Sequence, residues 1–125
     1  MMNIPQNLKY TKTHEWIRVE DNKAIVGITD FAQHEITDIV HVELPEIGRT
    51  VKKDSPVAVI ESVKSAFDIY APVSGKVVAV NDNVLSNPEL VNQSPYEQGY
   101  LFTIELSDKT ELNSLLDAQA YQTIV

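Results

Sequence analysis

A lysine held in a tight turn between two apolar strands can act as an exposed nucleophile, and the stretch from Asp54 to Gly75 has that form. One apolar run rises from Pro56 to Ile60, a second descends from Phe67 to Ala71, and Lys64 falls near the middle of the intervening turn. At such a tip a lysine is ordinarily a solvated charge that keeps the turn soluble. Its neighbours point further. Val63 places an apolar side chain where water is expected, Glu61 stands three residues before the amine, and Ala71-Pro72-x-x-Gly75 closes the second strand. A modifying ligase needs such a feature: one reachable amine, held away from the other lysines and presented with local shape. Ser62 to Ala66 contains no glycine, consistent with a stiff base for whatever the amine carries.

Other groups able to do chemistry are fewer. His14, His34 and His41 with Glu15, Glu35 or Asp38 could hold a metal or move protons, but their spacing matches no ligand motif. There is no glycine-rich phosphate loop and no nucleophile elbow, and the lack of cysteine removes disulfides, thiol nucleophiles and thiolate metal sites together. The expectation is a protein that is not itself an enzyme, with no catalytic residue and no metal. Ten Lys and Arg against eighteen Asp and Glu leave a net charge of −8, the opposite of the basic face that nucleic-acid binders present. No run approaches the roughly 18 apolar residues that span a bilayer, so neither nucleic acid nor membrane is an expected partner.

The elements that would position Lys64 are short. Tyr10 to Val19 and Ala24 to Ile28, joined at Asp21-Asn22, predict an opening hairpin. Thr29 predicts the cap of a brief helix over Asp30 to Glu35. From Ile39 to Ile104, β-branched runs recur between turn residues at Ile39–Val42, Pro56–Ile60, Ile69–Ala71, Lys76–Val80 and Leu101–Ile104, favouring a barrel or sandwich over a parallel α/β sheet. Gly48-Arg49-Thr50-Val51 and Gly75-Lys76-Val77-Val78 hint at an internal repeat. Asn81 to Gly99 reads as one long loop. After Ser107, Leu112, Leu115, Leu116 and Ala120 recur at helical spacing with Asp108 and Glu111 near the helix start, predicting a C-terminal helical segment over about 108–123. The 125 residues, 43% of them hydrophobic, suffice for one domain spanning 1–125.

Glu61-Ser62-Val63-Lys64, followed by Ile69-Tyr70-Ala71-Pro72-Val73-Ser74-Gly75, resembles the lipoylation segment of the glycine cleavage system H proteins. The likeness extends over nearly the whole chain: Tyr10-Thr11-Lys12, His14-Glu15-Trp16, Val26-Gly27-Ile28-Thr29-Asp30, Val42-Glu43-Leu44-Pro45, Pro88-Glu89-Leu90-Val91-Asn92 and Ser94-Pro95-Tyr96. Two departures stand out. The family commonly has Ser three residues after the lysine, where this chain has Phe67, and its usual Trp after the late glycine is Tyr100.

The resemblance implies a mainly β fold, a flattened barrel-sandwich hybrid of two quasi-symmetric halves with a short helix in its first half and a C-terminal helix, and a lipoyl hairpin over about 56–71. It implies lipoate in amide linkage to Lys64, with Glu61 and Val63 as hairpin context that a lipoate ligase or a lipoyl/octanoyl transferase reads. It further implies a shuttle that takes an aminomethyl group from a pyridoxal-phosphate glycine decarboxylase to a folate-dependent aminomethyltransferase, and is then reoxidised by dihydrolipoyl dehydrogenase. By the same resemblance Glu15 and Asp68 are the carboxylates expected to hold the carried ammonium in a cleft between the hairpin and the helix after Thr29. Alternative readings are a lipoyl donor to other lipoylated enzymes or a biotinyl-type carrier, though Val63 and Ser65 stand where biotin domains favour methionine. Weak, fast-released partners and a monomer are expected. The opening Met1-Met2-Asn3-Ile4-Pro5, with neither a signal peptide's apolar core nor an Arg-rich leader, fits a bacterial cytoplasm, or a mitochondrial matrix if the source is eukaryotic.

Overall fold

The computed structural model describes residues 2–125, so the reading of the start at Met1 lies outside the described residues. Short β-branched runs and polar turns become nine strands among the described residues. β1 (Lys9–Tyr10) pairs with β2 (Glu15–Glu20), which turns at Asp21 and Asn22 into β3 (Lys23–Ile28). Asp21 sits at φ 55°, a left-handed geometry that a short polar side chain tolerates in a two-residue turn. α1 (Asp30–Ile36) follows, and the Thr29 hydroxyl accepts from the Ala32 N–H at 3.1 Å, the cap that the sequence predicts.

Next come β4 (Ile39–Glu43), β5 (Thr50–Val51), β6 (Pro56–Ser62), β7 (Ala66–Tyr70), β8 (Gly75–Val80) and β9 (Phe102–Leu106). They form two sheets, a six-stranded one in the order β1-β2-β3-β9-β8-β5 and a three-stranded one in the order β4-β6-β7. All pairings are antiparallel, so the fold is mainly β, a flattened sandwich whose two sheets are not closed into one barrel. The paired Gly-x-x-Val segments prove to be neighbours: Thr50 lies opposite Lys76 and Val51 opposite Gly75.

The core fills the space between the sheets. Val26, Val77 and Ile104 from the larger sheet meet Val42, Ile60 and Ile69 from the smaller one, and Ala32 and Ile36 of α1 close one end. Burying such side chains contributes about 1.5–3 kcal/mol each relative to exposure. A second cluster lies on the outer face, where Tyr10 and Tyr121 stack at 4.6 Å and the Trp16 indole donates to the Pro95 carbonyl at 2.9 Å. Gly27 lies opposite Trp16 because a Cβ there would come within 2.6 Å of the indole ring.

Two expectations need correction. Asn81 to Gly99 is not one loop: α2 (Asn83–Ser86) and α3 (Leu90–Gln93) lie within it, each a single turn, with buried Val84 and Val91 packed into the core. Residues 108–123 are not one continuous helix. Lys109–Ser114 is a 3-10 helix capped by Asp108, and α4 (Ala118–Gln122) is a separate helix capped by Asp117. Leu116 between them is extended and exchanges backbone hydrogen bonds with Tyr10, both at 2.8 Å, extending the edge of the larger sheet. Pairing with a strand edge overrides the helical spacing of the leucines.

Candidate functional site

β6 and β7 form the hairpin that carries Lys64, with Glu61 opposite Ala66 and Ile60 opposite Phe67. Its turn is built on Ser62. The Ser62 N–H donates to the Ser65 carbonyl at 2.8 Å, while the Ser62 hydroxyl accepts from the Lys64 and Ser65 N–H groups at 3.3 and 3.2 Å. With the Ser62 hydroxyl also donating to the Ser65 carbonyl at 3.4 Å, four bonds on one serine hold the turn without glycine, the local motif by which short hydroxyl side chains stabilise chain reversals. Lys64 at this turn is exposed, and among the described residues its ammonium is paired with no carboxylate. Val63 beside it is 77% exposed. Glu61 is half-buried and faces His41 across the β4–β6 pairing, with Glu43 two residues along. His41 and Glu43 approach to 3.9 Å, and both are exposed. The histidine thus stands beside Glu43 and Glu61, not beside the acids considered with it from sequence.

Between this hairpin and α1 runs a cleft of about 300 Å³. Phe31, Glu35 and Ile36 of α1 form one wall, and Phe67, Asp68 and Ile69 of β7 form the other. His14 and Ile28 line its inner end. The floor is apolar, since Ile28 and Ile69 are buried, while Asp68 and Glu35 bring two carboxylates to its rim. Such a shape takes an apolar chain and tolerates a cation at its edge.

Asp68, one of the two carboxylates expected there, is among the residues that line the cleft. Glu15 lies behind the wall: it is 1% exposed and is not among the groups that line the cleft. Its carboxylate accepts from the hydroxyls of Thr11 and Thr13, and its Oε2 accepts from the Tyr70 N–H of β7 at 3.2 Å. Burial raises the Glu15 pKa above the ordinary carboxylate value, and these hydrogen bonds pull it partly back. The residue ties the edge of the lysine hairpin to the start of β2.

His14, Phe31 and Glu35 are cleft residues that sequence reasoning did not assign there. Phe31 and Glu35 stand four apart on α1, one face over from inward-pointing Ala32 and Ile36, so helical spacing carried the signal. His14, held at φ 74°, rests its ring 4.8 Å from that of Phe31 and shares a 2.8 Å hydrogen bond with the Tyr121 hydroxyl. The same hydroxyl bonds Thr29 at 2.7 Å, so α4 pins the helix cap and the inner end of the cleft together. Burial pushes the Tyr121 phenol up to about 12.

Burial also lowers the His14 pKa, with the Glu35 charge opposing the shift. The neutral ring is favoured in the folded state, so its contribution is present above the unfolded value near 6.5 and is lost as pH falls below it. Wild type is expected to lose thermal stability relative to His14→Gln between pH 7 and pH 5. Melting temperatures of both proteins, measured in parallel, check this; parallel curves would contradict it.

Fold and site together define a two-sheet β-sandwich module that displays an exposed lysine on a hairpin beside an apolar-floored cleft. The family model described as Glycine cleavage H-protein matches residues 8–125. A glycine cleavage system H protein from Endomicrobium trichonymphae is 67% identical over 124 residues, covering 99% of this chain and 100% of the relative. One from Brevibacillus brevis is 55% identical, covering 99% of this chain and 98% of the relative. A crystal structure of a glycine cleavage system H protein from Mycobacterium marinum superposes with a TM-score of 0.88 at 34% identity, covering 96% of this chain and 97% of that one. The chain belongs to the glycine cleavage H-protein family.

No helix among the described residues is long and apolar enough to cross a membrane.

Proposed function

We propose that this chain, acting as a single unit over residues 1–125, carries lipoate in amide linkage to Lys64. In this reading it shuttles an aminomethyl group from the pyridoxal-phosphate glycine decarboxylase to the folate-dependent aminomethyltransferase. Dihydrolipoyl dehydrogenase then reoxidises the arm. The observation that carries the reading is the Lys64 amine: exposed, unpaired among the described residues, and borne on the Ser62 turn three residues before Phe67 of the cleft wall. When attached, lipoate supplies a disulfide that accepts carbon and electrons together.

The chain's own residues do the rest. The Ser62 turn fixes the base of the arm, so the tether raises the arm's effective concentration at a docked partner's active site. Val63 and Glu61 flank the amine with one exposed apolar and one acidic side chain, a local shape for a lipoate ligase or a lipoyl/octanoyl transferase to read. Ile28 and Ile69 exclude water from the cleft floor. Asp68 at the rim offers a carboxylate to the carried ammonium, with Glu15 adding negative potential from behind the wall. We place the protein in the cytoplasm as a monomer, since a carrier that meets three enzymes in turn must release each quickly.

The test is reconstitution. Purified chain, bare or enzymatically lipoylated, is mixed with a glycine decarboxylase and glycine. The lipoylated form should support saturable glycine-dependent CO2 release and the bare form should not. Equal inactivity of both would remove the shuttle reading.

A further inference from the structure

Phe67 is an aromatic side chain 38% exposed on the strand nearest the lysine, yet it lies on the same face of β7 as buried Ile69 and opposite fully buried Ile60. It therefore overhangs the end of the core, lining the cleft from the hairpin side while Phe31 lines it from α1. Phe31 is braced by the His14 ring at 4.8 Å; among the described residues Phe67 has no aromatic partner. The wall on the lysine side is thus a partly bare ring, with apolar surface still open to a ligand. Lys64 is three residues away, a chain distance of no more than about 11 Å. Anything anchored on that amine and entering the cleft passes Phe67 before it reaches Ile69 and Ile28.

We propose that Phe67 is the arm-positioning residue of this carrier: its ring packs against the hydrocarbon chain of the lipoyl arm and sets how long the arm, with its load, stays in the cleft. This rests on the carrier reading above. Covering the exposed part of the ring removes apolar surface of both ring and chain from water, and the contact shuts solvent out of the cleft mouth. The consequence concerns water, which cleaves the carbon–sulfur bond of the carried group and leaves thiol, formaldehyde and ammonium. A cleft closed by Phe67 slows that loss.

The experiment uses the full chain lipoylated at Lys64 with carbon-13-labelled lipoate, as wild type, Phe67→Ser and Phe67→Leu. In wild type, nuclear Overhauser cross-peaks are expected from the arm to the rings of Phe67 and Phe31. In Phe67→Ser the cross-peaks to Phe31 should weaken and the carried aminomethyl group should be lost about three- to tenfold faster, while Phe67→Leu stays within about twofold of wild type. Absence of arm-to-Phe67 cross-peaks in wild type overturns the proposal even if Phe67→Ser fails to fold. Equal loss rates in all three lipoylated proteins overturn it while leaving the shuttle intact. A chain that takes no lipoyl group at all removes both readings.

Discussion

Lys64→Arg should abolish lipoylation and reduce glycine-dependent arm loading to background, with the fold unchanged. Arginine keeps the positive charge and nearly the length of the side chain, but its guanidinium stays protonated and does not form the amide. The side chain at position 64 is exposed and the turn depends on the Ser62 hydroxyl and backbone, so stability should move by no more than about 0.5 kcal/mol. Melting curves and decarboxylase assays on the same preparations separate the two effects. Residual carrier activity in a folded Lys64→Arg protein would move the attachment elsewhere.

The second large effect is structural. Glu15→Ala should destabilise the protein by about 1–3 kcal/mol, because it empties a buried position and leaves the half-buried Tyr70 N–H and two threonine hydroxyls without their acceptor. Amide exchange at Tyr70 should accelerate more than exchange in the centre of β3, since the lost bond holds the edge of the smaller sheet to the larger one. Glu15→Gln, which keeps an acceptor oxygen, should fall between. The same geometry bears on any test of Glu15 as a partner of the carried ammonium: faster loss of the load in Glu15→Ala mixes a missing charge with a loosened hairpin, whereas Asp68→Asn at the exposed rim reads charge alone. Equal stability of Glu15→Ala and wild type would contradict this account. The pH response also has a sign. With its folded pKa raised, Glu15 penalises folding as pH rises above its unfolded value, opposite in direction to His14.

How far such features were legible varied with their range. The Lys64 hairpin rests on local signals, two apolar runs and a polar turn, and β6 and β7 begin and end within about two residues of those runs. Thr29 and α1 were legible for the same reason, since capping is settled within three residues. The C-terminal segment was not. Leu112, Leu115 and Leu116 keep helical spacing, but Leu116 is claimed by Tyr10, more than a hundred residues away in sequence, and only Asp117 as a second cap marked the break. α2 and α3, at four residues each, are too short for periodicity to register. The cleft is a meeting of α1, β7 and the start of β2, so its membership depends on tertiary placement. Phe31 and Glu35 were visible as a helix face without a destination, and Glu15 as an acid whose burial only the flanking threonines foreshadowed.

One measurement goes straight to the centre of the account: intact mass of the full chain and of Lys64→Arg after each is offered a lipoate ligase with lipoate and ATP. The account predicts that the wild-type chain gains a single lipoyl group, mapped by peptide digestion to Lys64, and that the variant gains none. A wild-type chain that stays bare, or a group found on any other lysine, would contradict it.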